Sequence, residues 1–318
     1  MSAGAPAGLV ERLQVAPEVA TALAEARPVV ALESTLISHG LAWPENLAVA
    51  HASEAAVRES GAVPATVAIH AGRILVGLDD AALETLATAA HGAVLKAARP
   101  NLAAALASGG WAATTVSATT LAAHAAGIAV FATGGIGGVH RVAGGAGDAV
   151  SLDISSDLDE LARTPVAVVC AGPKAILDVP NTLEVLETHG VPVVAVGQSE
   201  LPGFFARGAG IDAPASVPDV AGAALLVKTH LALGLGSGIL VCVPVPAEAA
   251  LPEAAAREAV ARAIREAGDA GVRGPELTPW LLARIAALTD GASVRANTAL
   301  IVNNARFAGR LATELGRR

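Results

Sequence analysis

The chain has 318 residues, 53% of them hydrophobic and 16% charged, with a formal net charge of −8. That balance excludes a disordered chain, which needs low hydrophobicity and high charge, and it argues against the basic face that a nucleic-acid partner requires while leaving room for a local basic pocket for one small phosphate. Aromatic residues are 2% of the total and Tyr is absent, so there is no stacking surface for unpaired bases and the core must come from Ala, Val, Leu and Ile.

The opening "MSAGAPAGLVERLQ" has no apolar run of the kind a secretion signal carries. Residues 1–25 are set apart as an N-terminal segment, and 26–318 are expected to form a single domain, because no linker or composition shift divides them. "PVVALES" (28–34) is the first strand-like run. "PENLAVAHASEAAVRESG" then reads as an amphipathic helix that stops at Gly61. "ATVAIHAGRILVGL" (65–78) predicts a hairpin around Gly72. Further apolar runs follow at 128–135, 166–172, 191–197 and 238–246. "AILDVPNTLEVLETHG" is expected to be helical up to Gly190. "AALLVKTHLALGLGSGILVCVPVP" contains Lys228, His230 and several Gly and Pro, so it predicts a helix, a turn and a strand, not a membrane span. The tail from 247 to 318 reads as helices. Strands alternating with helices imply a sheet covered on both faces, and the hairpin makes that sheet mixed. Cys170 and Cys242 fall inside apolar runs without ligand spacing, which fits a reducing cytoplasm and argues against a disulfide or a zinc site.

Ligands on α/β sheets collect at the carboxyl ends of strands. The polar residues expected there are Glu33 and Ser34 after the first run, Lys96, Thr133 before the glycines 134–138, His140, and Lys174 after "VAVVCAG". Asp153, Ser155 and Asp157 alternate in "SLDISSDLDEL", and Asn297, Asn303 and Asn304 lie in the last helix. A strand-like alternation would project Asp153, Ser155 and Asp157 to one side. "SSDLDEL" also reads as an ordinary helix start. Each residue taken singly has such a structural explanation, and their common place at strand exits points to a site without naming it.

Four long motifs, in order, carry a resemblance: "ALESTLISHGLAWPENL", "GGWAATTVSATTLAAHAAGIAVFATGGIGGVHR", "DISSDLDELARTPVAVVCAGPKAILD" and "ANTALIVNNA". Together they resemble the pseudouridine-5'-phosphate glycosidase family, which includes the indigoidine synthase A-like proteins. The resemblance implies an α/β fold, a three-layer α/β/α sandwich with a central mixed sheet. It also implies a cytoplasmic homotrimer and one divalent ion per subunit, Mn²⁺ or a substitute. The implied reaction is reversible cleavage of pseudouridine 5'-phosphate to uracil and ribose 5-phosphate.

Carried over residue by residue, the resemblance makes Lys174 the covalent lysine, Glu33 the proton donor and Asp153 the metal ligand. It sets Ser155 and Asp157 facing the substrate, and Lys96, Thr115, Val116, Thr133, His140 and Asn297 around the sugar phosphate and base. The segment between His140 and Asp153 is longer than the family pattern, and Pro173 stands where a small residue is expected. The chemistry favours these residue types. A carbon leaving group needs an electron sink, which two carboxylates do not supply and a lysine imine does. The amine must be neutral to attack, and burial at a strand end is expected to lower its pKa from the free value of ~10.4. A Schiff-base aldolase or lyase acting on another sugar phosphate, or a relative in indigoidine biosynthesis, would use the same lysine.

Overall fold

A computed structural model of the chain describes residues 6–90, 92–141, 151–272 and 277–317. Its strands are β1 (Leu13–Val15), β2 (Val29–Leu32), β3 (Val63–His70), β4 (Arg73–Val76), β5 (Leu95–Ala97), β6 (Ala112–Thr114), β7 (Val130–Ala132), β8 (Val139–His140), β9 (Ala167–Cys170), β10 (Leu177–Asp178), β11 (Val193–Val196), β12 (Ala215–Val217) and β13 (Ile239–Cys242). The main sheet runs β1-β4-β3-β2-β7-β9-β13-β11-β12, with β5 and β6 branching from β3. From β2 to β12 every pairing is parallel, whereas β3 pairs antiparallel with β4 and β6. The mixed sheet expected from the sequence is therefore present.

Both faces are covered. Val29, Ala31, Val168 and Cys170 point into one core layer, while Val30, Leu32, Ala167 and Val169 point into the other. A parallel strand buried on both faces has no polar side to show, so its sequence is a continuous apolar run. The helices Glu45–Glu59, Val220–Ala232 and Ala292–Leu315 cover one face, and Val116–Ala126, Ser156–Leu161 and Val179–Thr188 cover the other. The result is the three-layer α/β/α arrangement. A third apolar cluster joins the helices Glu253–Asp269 and Leu277–Leu288 to Phe204, Phe205 and Ile176. Both cysteines are free and buried, on neighbouring strands. Among the described residues, no helix is long and apolar enough to cross a membrane.

Some expectations shift. Residues ahead of the boundary at 26 take part in the sheet, because β1 pairs in parallel with β4 and the helix Pro17–Ala24 packs beneath it. The stretch from 175 begins as β10, paired with β8, before its helix starts at Val179. Asp178 caps that helix by accepting from Asn181 N, and Pro180 occupies its first turn, where no amide is needed. The hairpin closes on Ala71 and Gly72, both with positive φ, as a two-residue turn requires.

The sheet forks along β3. Its first half, up to Thr66, pairs with β2. On the same edge Ala68 and Ile69 pair with β6, which runs the other way. The carboxyl ends of β2 and β6 therefore meet nearly head-on beside Val67. Ser34 spans the gap: its hydroxyl donates to Val67 O at 2.6 Å and accepts from Thr114 N at 2.9 Å. Replacing Ser34 with Ala leaves the buried Thr114 amide without its acceptor, a loss of about 1–3 kcal/mol. Urea unfolding of Ser34→Ala should show that loss, and an unchanged midpoint and slope would count against the role given to this hydroxyl.

Candidate active site

Glu33 follows β2, Thr115 follows β6, Thr133 follows β7, and residues 171–174 follow β9. The fork brings the first two together, and the parallel β2–β7–β9 order adds the others. The β7–β9 ladder runs past the strands into the loops. Ala171 N donates to Gly134 O (2.9 Å), Ile136 N to Gly172 O (3.2 Å) and Lys174 N to Ile136 O (3.1 Å). Gly135 permits this close approach, since a Cβ there would lie 2.8 Å from Gly172 O and 2.6 Å from Cε2 of Phe204. Pro173 is buried and bridges Ile136, so the proline stiffens the segment that aims Lys174.

Glu33 is 8% exposed, and Thr133 Oγ1 donates to its Oε1. Burial raises its pKa above the usual carboxylate range. Lys174, the Thr133 hydroxyl and Lys96 oppose that rise, while Asp157 adds to it. Burial wins because water no longer solvates the anion. Lys174 is half-buried, not sealed into the strand end as its apolar context suggested. Lys96, on β5, is open to solvent yet ringed by protein. That partial desolvation, and then the charge of Lys174, hold its pKa below the ordinary lysine value, with Glu33 and Asp157 pulling the other way. Glu33, Lys174, Lys96 and Asp157 thus share one electrostatic field.

The helix Val116–Ala126 starts at this field with Thr115 at its N-cap position. A helix N-terminus carries partial positive charge and favours anions. Thr115 Oγ1 lies 3.2 Å from Ser117 Oγ, which lies 3.3 Å from Ser156 Oγ. Val116 is buried. Ser155 caps the helix Ser156–Leu161 by accepting from Asp157 N. The strand-like alternation of Asp153, Ser155 and Asp157 is therefore not observed. The helix-start reading holds from Ser155 onward, since a helix advances about 100° per residue where a strand advances 180°.

The fold separates Asp153 from Asp157. Asp153 has a side chain 70% exposed, with Oδ2 at 3.4 Å from His140 Nδ1. His140 lies on β8, paired with Leu177 three residues beyond Lys174. Residues 142–150 of the long connection lie outside the described residues. Asn297 is half-buried in the last helix. One turn further on, Leu300 and Ile301 reach Gly134, and two turns on, Asn304 donates to Thr133 O at 2.9 Å. Among the described residues, no group of three His, Cys, Asp or Glu could hold a metal. Asp153 is an exposed carboxylate of the oxygen type that a hard divalent ion keeping most of its water could use.

Several residues that build the site were not singled out from sequence. Ser34 was one of several polar residues at strand exits, and Asn304 one of three asparagines in the last helix. Ser117 carried no signal, and Glu160 only a faint one. Glu160 is fully buried, where it accepts from Thr164 and pairs with Arg99, whose backbone N donates to Ser117 Oγ. An acid between Leu158 and Leu161 on the buried side of a helix was the available clue.

Fold and site together define an α/β/α sandwich protein with an acid, two amines and a helix N-terminus gathered at the carboxyl ends of its strands. The chain belongs to the indigoidine synthase A like protein family, whose model matches residues 18–314. It is 53% identical over 303 residues to a pseudouridine-5'-phosphate glycosidase of Paracoccus denitrificans, covering 95% of this chain and 98% of that one. A protein of the same name from Caldanaerobacter subterraneus is 50% identical, with 96% and 97% covered. Among solved structures, the prealnumycin C-glycosynthase AlnA in complex with ribulose 5-phosphate superposes with a TM-score of 0.86 at 38% identity, covering 96% of this chain and 97% of that one. An indigoidine synthase A-like protein of Thermotoga maritima superposes at 0.83 with 31% identity, with the same coverage.

The raised pKa of Glu33 has a stability consequence. A carboxyl whose folded pKa lies above its unfolded value favours folding below the unfolded pKa, and that contribution is lost as pH rises through the folded pKa. Glu33→Gln removes the buried charge. The variant should therefore melt no higher than the parent near pH 4, and the difference should grow in its favour as pH rises above the ordinary carboxylate range and level off once the folded pKa is passed. A melting difference that is flat with pH would contradict the assigned shift.

Proposed function

We propose that the protein cleaves the C–C glycosidic bond of pseudouridine 5'-phosphate reversibly, giving uracil and ribose 5-phosphate. One observation carries the reading: a buried acid held toward its protonated form stands in the field of a strand-end lysine, in a chain half identical to relatives that bear this activity in their name. The site's composition supports each end of the substrate. Lys96 and the helix start at Thr115 and Val116 suit the phosphate. Glu33 and Lys174 suit the reacting sugar, with Thr133, Ser155, His140 and Asn297 about them.

In this reading protonated Glu33 gives its proton to the ribose ring oxygen, and the ring opens with electrons pushed from the uracil ring. The neutral amine of Lys174 adds to C1' and sheds a proton. Its lone pair then forms the C=N bond as the C1'–C5 bond breaks, and C5 of uracil takes a proton. Water hydrolyses the iminium to ribose 5-phosphate and returns the lysine. Asp153 is the residue that would hold the divalent ion, which would order waters and polar groups about the substrate. The reading extends to a cytoplasmic homotrimer. Leu225, Leu233 and Leu235 are exposed in and just after the helix Val220–Ala232, and a subunit contact there would cover them.

Incubation with pseudouridine 5'-phosphate and Mn²⁺ should release uracil. Borohydride should trap the sugar phosphate on Lys174, as read by peptide mapping. Lys174→Ala and Lys174→Arg should both lose turnover, the second because a guanidinium stays charged and forms no imine. Turnover near the parent rate in Lys174→Ala rejects the mechanism, and turnover that yields no uracil favours an aldolase.

Chelation should abolish activity without lowering the melting temperature, since a loosely held ion on an exposed carboxylate contributes little to folding. Mn²⁺ should restore activity, and Asp153→Asn should raise the concentration needed for half-maximal rate. Full activity in demetallated protein leaves Asp153 as a surface partner of His140 only.

A further inference from the structure

Asp157 is 6% exposed, and both carboxylate oxygens accept backbone amides from distant parts of the chain. Ser117 N donates to Oδ1 at 3.0 Å and Gly137 N donates to Oδ2 at 2.9 Å. The first amide belongs to the opening turn of the helix Val116–Ala126. The second belongs to the glycine loop that is laddered to the Lys174 segment through Ile136. The family resemblance sets Asp157 against the substrate, but both oxygens already have protein partners. We propose that Asp157 is a positioning residue: it ties the helix start at Thr115 and Val116 to the loop that aims Lys174, and so fixes the spacing between the phosphate end and the reacting end of the site. The proposal rests on the sugar-phosphate reading above.

Two further features fit this role. Gly137 is built for the contact, since a Cβ there would overlap Ser155 Oγ and stand 2.8 Å from Asp157 Oδ2. Ser155 completes the clamp, with its N donating to Gly138 O at 3.0 Å and its hydroxyl accepting from Asp157 N at 3.2 Å. Asp157 also acts at a distance. The groups that face Glu33 are Lys174, Thr133, Asp157 and Lys96. Of these only Asp157 reinforces the effect of burial, so its charge helps keep Glu33 protonated and able to donate.

Uracil release by the parent protein tests the functional reading, and comparison of variants with the parent tests Asp157. Asp157→Asn removes the charge and sets an amide donor against one backbone N–H. Asp157→Glu keeps the charge but alters the reach. Both should lower kcat/KM by about 100-fold, mainly through kcat, the loss expected for a misplacement near 1 Å. Only Asp157→Asn should move the alkaline limb of the kcat/KM profile to lower pH, because only it withdraws a negative charge from Glu33. Gly137→Ala should behave like Asp157→Glu. A parental kcat with raised KM in Asp157→Asn makes Asp157 a substrate contact and overturns the proposal, as does an unmoved alkaline limb. If Asp157→Asn does not fold, parental kcat/KM in Asp157→Glu or Gly137→Ala overturns it. Amide hydrogen exchange needs no substrate. Amides 117 and 137 should exchange faster in Asp157→Glu than in the parent, and unchanged protection at both rejects the tether whatever the protein turns over.

Discussion

The site depends on one constraint: two strands end head-on against a third. β2 and β6 approach the same edge of β3 from opposite directions and stop on either side of Val67. Neither can continue, so the chain must turn out of the sheet at Glu33 and at Thr115. Buried backbone groups left by such a break would be costly without partners. The Ser34 hydroxyl serves both sides at once, and Thr114 Oγ1 adds a second bond to Val67 O at 2.7 Å. The polar cleft at the break is thereby sealed from beneath. Immediately beyond Ser34 the chain makes a π-helical turn, Leu36–Gly40, a form found often near functional sites.

What the break exposes is organised by charge. Glu33 has lost most of its water, and the two lysines within its field do not offset the cost of ionising it. The acid that serves the proposed chemistry is therefore also a destabilising element at neutral pH, and it is held there by the packed layers on either side. Asp157 strengthens that state from a second position, while its hydrogen bonds join the two loops that carry the ends of the site. One residue thus bears on both position and protonation, although burial remains the larger cause of the second. Asp153, four residues earlier, does neither. It stands in solvent beside His140, outside the helix that buries Asp157, and that exposure suits a hydrated ion better than a structural role.

The glycines between 134 and 138 can be understood in the same terms. They match no nucleotide-binding fingerprint. They permit close approach to Gly172 O, Phe204, Ser155, Asp157 and Thr182, so the loop can be gripped from both sides. A rigid loop is what a lysine nucleophile needs, because its long side chain has many rotamers and only a fixed backbone narrows its reach.

Much of this was legible in the sequence. The strands β2, β7, β9, β11 and β13 showed as continuous apolar runs, because burial on both faces removes any alternation. The β3–β4 hairpin showed through its Gly turn, and Glu33, Thr133 and Lys174 were conspicuous because each ends an apolar run. The very short strands were not legible. β1, β5, β6, β8, β10 and β12 have two or three residues each and, unlike β7, stand in no long apolar run, so their pairing is decided by neighbours distant in the chain. The same is true of Asp157. Its partners are backbone amides 40 and 20 residues away, and backbone amides are alike at every position, so no pattern of side chains announces which ones a carboxylate will meet. The sequence by itself determined the layers and the residue types at the strand ends, since both follow from where apolar surface must be buried. Only the tertiary structure decided which of those polar groups share a field and which acid is buried or wet, because hydrogen-bond direction and desolvation exist only once the chain has folded.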